Sequence, residues 1–405
     1  MQTAPITDRV NRMSRKPADR WRCAVCAASA IELINAFTKV PRATSDCRPF
    51  PPGGKIGICT LCHTVQKPAD EQWDADARAI YRCYAMFRQA EGGAEQRVFD
   101  PASATSLPRS ELVLRRLQAV LPFAVEGRAL DVGCGNGPTL RALAKIAPGW
   151  RLYGHDISDA NARELAAIPG FERLYTDEPS EIPDRFELIT LSHSLEHLPD
   201  PVQGLAALHN KLSVGGLLLV EVPNLRHNIY DLLVADHRSH FDPLTLAAAA
   251  RKAEYPHIAV FDDWAFKELT LLASNRPMGI EMLPHEYATF TPIDLAQRVS
   301  WLASVVEDAK KIATRAGSFG LFGTAIAATW LFGPLARQTQ FFVDEDTSRI
   351  GQRHEGRPIL APAQIPAGAT VFIPLVPNVA KSVAERLRQL GVDARVPPPQ
   401  AFDSE

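Results

Sequence analysis

The sequence predicts an α/β protein organised around a parallel sheet. From residue 110 to about residue 285, apolar strand-like runs alternate with amphipathic helical stretches; the runs are RALDVG, RLYGHDI, FELITLSH and GLLLVEVPN. This alternation is typical of βαβ units whose helices cover both faces of the sheet. Two further observations complete the expectation: paired cysteines precede this region, and a second, smaller α/β pattern begins at residue 317.

The chain has 405 residues, which is too long for one ordinary domain. Changes of composition predict a four-cysteine module, a helical connector, the central α/β domain, a linking helix, a smaller Rossmann-like α/β domain and a disordered tail. The corresponding ranges are 1–70, 71–108, 109–290, 291–316, 317–396 and 397–405.

The composition favours a small-molecule substrate. Hydrophobic residues make up 46% and charged residues 22%, and the net charge is -2, so the electrostatics predict neither a nucleic-acid partner nor a membrane. The first twenty residues are polar and lack an apolar signal segment, so we expect a cytoplasmic protein, a monomer or a homodimer. Glycines and Pro334 interrupt the uncharged stretch 317–336, which predicts a strand, a turn and a buried helix rather than a membrane span.

Two CxxC pairs predict a structural zinc site. Cys23 and Cys26 form the first pair, and Cys59 and Cys62 form the second. Four thiolates suit tetrahedral zinc and leave no open position for catalysis. Two alternatives stay open: the pairs act as independent redox or core cysteines, or Cys47, which lies between them, replaces one ligand.

A glycine-rich turn is the strongest chemical signal. The run ALDVGCGNGPTLRALA predicts an apolar strand ending in Asp131, a turn and an amphipathic helix. Gly133, Gly135 and Gly137 let a ligand lie against the main chain. Asp156 ends the next strand, 19 residues beyond Gly137, where a carboxylate can accept hydrogen bonds from both hydroxyls of a ribose.

Two cofactor classes use such a turn. The dinucleotide pattern GxGxxG needs a glycine where this chain has Pro138, which disfavours a nicotinamide oxidoreductase. The DxGxGxG form resembles motif I of class I methyltransferases, which implies that S-adenosylmethionine lies over the loop.

The strand FELITLSH and the following LEHLPDP resemble the fourth-strand motif of the same superfamily. That resemblance implies that the LEH turn packs against the cofactor loop, and it adds His193 to the cofactor site. Asp177, at the end of RLYTD, is a candidate partner for the adenine amino group or a lone surface aspartate. His193 and His197 lack the HExxH order, so we expect no metal on this pair.

The order of these parts resembles the three-domain sugar C-methyltransferases of deoxysugar pathways such as tetronitrose biosynthesis. The resemblance covers nearly the whole chain. Its most specific elements are the CxxC pairs followed by Val65 and Gln66, then DVGCGNG, LEHLPDP, VADHRSHF and FVDEDTSRIGQRHEGRPI.

That family uses a histidine in a Tyr-x-Glu-His segment to remove a proton beside a ketone. The resemblance implies that His237 is the general base and that Asp236 stands for the glutamate, while Val234 replaces the tyrosine. Tyr84 or Tyr81 could supply a phenol instead. His240 and His227 are nearby competitors for the role of base.

These observations predict methyl transfer to a nucleotide-activated sugar or glycan precursor, with C-methylation favoured. One alternative is an O-methyltransferase acting on a hydroxylated small molecule. Another is a catalytically silent protein that binds S-adenosylmethionine or serves as a zinc scaffold. By the same resemblance, the C-terminal domain helps to hold the nucleotide, or else it is a scaffold or dimerisation domain.

Overall fold

A computed structural model describes residues 21–84, 95, 97–100, 105–280 and 292–400 of the chain. The expectations for residues 1–20 and for the tail residues 401–405 lie outside this part. The strands in chain order are β1 (Ile31–Leu33), β2 (Arg42–Ala43), β3 (Pro49–Phe50), β4 (Gly57–Cys59), β5 (Val65–Gln66), β6 (Arg97–Asp100), β7 (Thr105–Pro108), β8 (Gly127–Val132), β9 (Trp150–His155), β10 (Phe171–Tyr175), β11 (Phe186–Ser192), β12 (Leu212–Pro223), β13 (Ser239–His240), β14 (His257–Phe261), β15 (Glu268–Ser274), β16 (Phe319–Phe322), β17 (Thr339–Val343), β18 (Arg353–His354), β19 (Arg357–Leu360), β20 (Thr370–Phe372) and β21 (Asp393–Arg395).

Helices connect most of these strands. The α-helices of the described residues are α1 (Glu71–Tyr81), α2 (Arg109–Val120), α3 (Pro138–Ile146), α4 (Ala162–Ala166), α5 (Pro201–His209), α6 (Pro243–Lys252), α7 (Leu295–Arg315), α8 (Ile326–Leu335) and α9 (Pro377–Gln389). Short 3-10 helices lie at Asn35–Lys39, Pro179–Glu181, Leu195–His197, Ile229–Leu233 and Pro362–Gln364.

The central sheet has seven strands in the order β10-β9-β8-β11-β12-β15-β14. Its first five strands run parallel, and β15 runs antiparallel to both β12 and β14. Successive residues of a strand point to opposite faces: Leu188 packs into one buried cluster and Ile189 into the other. The predicted α/β Rossmann-like fold is therefore confirmed. Because both faces of the sheet carry buried apolar side chains, both faces must be covered.

The N-terminal segment, residues 21–84, shares a sheet with the central region. Strands β1, β4, β5 and β13 form this sheet in that order, and Ser239 of β13 pairs with Gln66 of β5. The sheet therefore joins residues far apart in the chain. Within the range predicted as a helical connector, α1 is followed by β6 and β7, an antiparallel hairpin that the sequence did not predict.

The C-terminal sheet has six strands in the order β18-β19-β17-β16-β20-β21, parallel except for β18. The stretch 317–336 forms β16, a turn at Gly323 and α8. Helix α8 is buried because it packs against α7, β2, β3 and Ile229–Leu233. In the described part of the chain, no helix is both long enough and apolar enough to cross a bilayer.

The last described residues correct one expectation. The sequence predicts a disordered tail over 397–405, yet the backbone oxygen of Pro398 accepts a hydrogen bond of 3.0 Å from Trp301 Nε1. Trp301 is a buried residue of α7, and its indole N–H needs an acceptor there. Pro398, within the range predicted as a disordered tail, therefore packs against α7.

Candidate active site

The glycine-rich loop follows β8 and leads into α3. Gly133, Gly135 and Gly137 have φ angles of 76°, 51° and 86°, which lie in the left-handed region that favours glycine. A Cβ at Gly133 would collide with the hydroxyl of Ser194, and one at Gly137 would lie 2.6 Å from Leu165 Cδ2. Gly133 is exposed, so a ligand can reach its backbone.

Three aspartates lie at different depths around this loop. Asp131 is buried beneath it and accepts a hydrogen bond of 2.7 Å from the Thr190 hydroxyl, and burial raises its pKa to about 7. Asp156 directly follows β9 and accepts a hydrogen bond of 2.9 Å from the N–H of Gly135. Asp177 follows β10 and is exposed. Asp156 and Asp177 thus lie at the rim, whereas Asp131 supports the loop from below.

A cluster of charged side chains fills the carboxyl ends of β11 and β12. His193, which has a φ of 50°, directly follows β11. Its Nδ1 lies 3.2 Å from Glu196 Oε1, and its Nε2 lies 3.5 Å from Glu268 Oε2. Arg109 Nε lies 3.1 Å from Glu221 Oε1. His193 is therefore held among carboxylates rather than in a metal pair with His197.

Burial and mutual attraction set the charges in this cluster. Burial raises the pKa of Glu268 to about 7. Burial and Arg109 both oppose a charge on His193, but the carboxylates of Glu268 and Glu196 raise its pKa above the ordinary value. Burial likewise opposes a charge on Glu196, but His193 lowers its pKa below the ordinary value. Glu268 consequently changes its charge near neutral pH.

A second cluster surrounds His237. His237 Nδ1 lies 2.6 Å from Asp231 Oδ1, and His240 Nδ1 lies 2.5 Å from Asp231 Oδ2. Burial would raise the pKa of Asp231, but the two rings lower it well below its usual range, so the carboxyl is ionised. An ionised carboxylate only accepts hydrogen bonds, so both histidines carry a proton on Nδ1.

The two clusters meet at the LEH turn. The side-chain ligand atoms of Glu196, His197 and His237 all lie within 4.8 Å of one another. The rings of His197 and His237 make an edge-to-face contact with centroids 4.6 Å apart. The predicted base thus lies beside the turn whose Ser194 packs against the glycine-rich loop.

The N-terminal segment contributes side chains to the same place. Tyr81 Oη lies 2.9 Å from His197 Nδ1, and the ring of Tyr84 lies 5.6 Å from that of Tyr81. Asp236 is fully buried and accepts hydrogen bonds from the N–H and hydroxyl of Ser45, at 3.0 and 2.5 Å. The structure therefore brings the predicted Asp236, His237 and Tyr84 together, with Asp236 facing Ser45.

The four paired cysteines lie close together at the start of the chain. Cys23 Sγ is 3.4 Å from Cys62 Sγ, and Cys26 Sγ is 3.5 Å from Cys59 Sγ. All four sulfurs lie within 4.8 Å of one another, and Cys47 is not in the group. Thiolates around one zinc ion would be about 3.8 Å apart, given a Zn–S distance of about 2.3 Å. The donor set therefore fits a single tetrahedral metal.

The sequence did not single out several residues of these clusters. Asp231 and Ser45 carry no motif of their own, and Glu221 and Glu268 look like ordinary strand residues. A charged residue inside an apolar strand pattern was the available signal for Glu221, which interrupts the run GLLLVEVPN.

We expect Glu268→Gln to change the free energy of unfolding, relative to the native chain, more favourably at high pH than at low pH. The folded-state pKa of Glu268 is raised from 4.5 to about 7, so its contribution to stability is fully present below pH 4.5 and is lost as the pH rises through 7. At pH 8 the glutamine should raise the free energy of unfolding by about 1–3 kcal/mol. Denaturant titrations at both pH values would measure this.

Glu164→Gln is the matched control, because Glu164 is exposed on α4, and it should change little at either pH. An equal effect of Glu268→Gln at pH 4.5 and pH 8 would contradict the raised pKa.

The chain resembles known proteins over its central region. Residues 108–260 match the family profile described as "Methyltransferase domain". The chain is 34% identical over 124 residues to the trans-aconitate 2-methyltransferase of Deinococcus radiodurans, covering 30% of this chain and 48% of that protein. It is 29% identical over 115 residues to a ubiquinone biosynthesis O-methyltransferase of Aeromonas salmonicida, covering 26% and 48%. The chain thus spans less than half of the length of each of these two relatives.

A solved structure of an S-adenosylmethionine-dependent methyltransferase from Clostridium acetobutylicum is 14% identical, with a TM-score of 0.35; the match covers 43% of this chain and 93% of that one. From the family profile and its seven-stranded sheet, the chain carries a class I S-adenosylmethionine-dependent methyltransferase domain, matched over residues 108–260.

Proposed function

We propose that the protein transfers the methyl group of S-adenosylmethionine to a nucleotide-activated sugar or glycan precursor, with His237 as the general base. The observation that carries this proposal is the hydrogen bond between His237 Nδ1 and the ionised Asp231. In the neutral ring, this bond leaves the lone pair on Nε2, where a base can accept a proton.

The loop and its rim fit S-adenosylmethionine. The backbone of Gly133 is open, Asp156 can accept hydrogen bonds from the ribose, and the exposed Asp177 can accept one from the adenine amino group. Ile157, next to Asp156, is 48% exposed and offers an apolar surface for the adenine ring. When bound, this cofactor supplies a methyl group activated by a sulfonium.

His237 removes the proton that blocks methylation. Its Nε2 takes a proton from the acceptor carbon beside a ketone, and the electron pair left on that carbon would attack the methyl group that the bound cofactor supplies. Tyr84, which is 37% exposed at the edge of this cluster, can bind the acceptor's oxygen. Asp236 holds this segment against Ser45.

The C-terminal sheet supports a nucleotide-linked acceptor. Gly323, with a φ of 84°, follows β16 in a turn before α8, and nucleotide-binding α/β units have a glycine turn at the same place. Arg349 Nη1 lies 3.1 Å from the Thr324 hydroxyl, which donates a hydrogen bond of 3.1 Å to Asp344. Arg349 also pairs with Asp344 and Asp346, at 3.5 and 3.4 Å, so a phosphate group at this turn would compete with two carboxylates for its guanidinium.

O-methylation of a hydroxylated small molecule is the second candidate. Val234 is buried and carries no phenol where the resembled family has tyrosine, and one curated relative is named as an O-methyltransferase. The base would be the same. The NMR spectrum of a product made with ¹³C-methyl cofactor distinguishes carbon from oxygen as the acceptor atom.

The four paired cysteines would hold a structural zinc ion. The N–H groups of Val25 and Cys26 point at Cys23 Sγ, at 3.4 and 3.5 Å. Ala27 and His63, the residues after each CxxC pair, share a φ near 60°. Both turns thus have the same shape, which lets four thiolates converge on one ion.

Asp156→Ala should weaken the binding of S-adenosylmethionine by roughly 1.5–3 kcal/mol, because a charged acceptor is lost. Titration calorimetry measures this, with the exposed Asp159→Ala as the matched control. Unchanged affinity in Asp156→Ala, or tighter binding of NAD than of S-adenosylmethionine by the native protein, would count against the proposed cofactor site.

His237→Asn should lower turnover by about 10²–10⁴-fold, because the proton acceptor is lost. The assay measures release of S-adenosylhomocysteine with a panel of nucleotide-linked keto sugars, and calorimetry should give nearly native cofactor affinity. His257→Asn on the edge strand β14 is the matched control and should keep native turnover. Native turnover in His237→Asn with any acceptor that the wild-type protein methylates would eliminate this base.

Metal analysis of the purified protein should give about one zinc ion per chain. Cys62→Ser should lose the metal, because three thiolates do not complete the site, whereas Cys83→Ser should keep it, because Cys83 is exposed and outside the cluster. Four freely titratable thiols in the metal-free native protein would rule the site out.

A further inference from the structure

We propose that Lys67 is a positioning residue that acts through His240 and Asp231 to hold His237 with its Nε2 free to accept a proton. This proposal rests on the proposed role of His237 as base. It assigns the N-terminal segment a part in proton transfer that a purely structural zinc module would not have.

Lys67 is a buried cation with three partners, all in the segment from Val234 to His240. Its Nζ donates to the backbone oxygens of Val234 and His237, at 2.5 and 2.9 Å, and lies 3.1 Å from His240 Nε2. Its side chain is buried and its backbone N–H donates to Arg238 O at 2.8 Å. Each partner accepts one N–H, which uses all three donors of an ammonium group.

The ammonium fixes the proton on the ring of His240. Because Nε2 accepts from Lys67 and Nδ1 faces the Asp231 carboxylate, the hydrogen bonds are satisfied only by a neutral ring protonated on Nδ1. Burial and the charge of Lys67 lower the pKa of His240 to about 4. Burial also lowers the pKa of Lys67, to about 7, but this value remains above that of His240, so the proton between the two nitrogens stays on the lysine.

His240 in turn orients Asp231. One carboxylate oxygen accepts from His240, so the other is turned toward His237 Nδ1 at 2.6 Å. A carboxylate that fixes the tautomer of a catalytic histidine is the arrangement of the Ser-His-Asp triad, where loss of the correct tautomer is costly. The order Lys67, His240, Asp231, His237 is thus a continuous chain of hydrogen bonds.

The charge of Lys67 also prevents His240 and His237 from being protonated at the same time. The ionisable groups that face His240 are Lys67, Asp231 and His237. With Lys67 charged, protonation of His240 would place two cations at 3.1 Å. Asp231 therefore has only one cationic ring to stabilise when His237 takes up a proton from the acceptor.

The test is an NMR measurement of ring tautomers in protein labelled with ¹⁵N-histidine, which needs neither cofactor nor acceptor. The native protein should show both His237 and His240 protonated on Nδ1, with His240 neutral throughout the neutral pH range. Lys67→Met keeps the length of the side chain but removes its charge. In this variant the titration midpoint of His240 should rise by about 1–3 pH units. Signals are assigned with His237→Gln and His240→Gln.

Lys55→Met is the matched control, because Lys55 lies in the same segment but pairs with Asp70 at the surface; it should leave both rings unchanged. Should Lys67→Met not fold, the native spectrum decides alone: a His240 ring protonated on Nε2, or charged at neutral pH, overturns the proposal. So does an unshifted His240 in folded Lys67→Met.

The tautomer measurement can fail or succeed independently of the test of His237 as the base. If the tautomers are as proposed but His237→Asn keeps native turnover, the hydrogen-bond chain stands and the proposed base fails. If His237→Asn loses turnover while His240 is protonated on Nε2, the base stands and the role of Lys67 fails.

Discussion

The segment from Val234 to His240 is held in place by hydrogen bonds that come from the other end of the chain. Strand β13 pairs with β5, and the Lys67 ammonium binds the carbonyl oxygens of Val234 and His237. A buried ammonium is costly unless every N–H finds an acceptor. The geometry around His237 therefore depends on the packing of the N-terminal segment against the methyltransferase domain.

The parts that the sequence predicts well are local. The glycine-rich turn, the strand before it and Asp156 after the next strand lie within a few tens of residues, and left-handed φ angles at Gly133 and Gly137 leave few alternatives to glycine. The clustering of the four cysteines can be predicted from sequence as well, because two short CxxC pairs can converge on one ion. Local spacing also predicts α7, which occupies Leu295–Arg315.

The parts that the sequence does not predict are contacts across long separations. Ser45 binds Asp236 across 191 residues, Lys67 binds His240 across 173, and Tyr81 contacts His197 across 116. No sequence motif links any of these residues to its partner, so these contacts can be identified only from the three-dimensional structure. The same holds for the expected tail, where the backbone oxygen of Pro398 accepts a hydrogen bond from Trp301 Nε1, 97 residues earlier in the chain.

Two charged clusters therefore meet beside the glycine-rich loop, one built on Glu196 and His193 and the other on Asp231 and His237. The account requires the reactive end of the cofactor to face that meeting point. A crystal structure with S-adenosylhomocysteine tests this most directly. We expect the adenosine over Gly133 to Gly137 with its ribose on Asp156, and the sulfur on the side of His237. A cofactor bound away from that loop, or with its sulfur turned away from His237, would contradict the account.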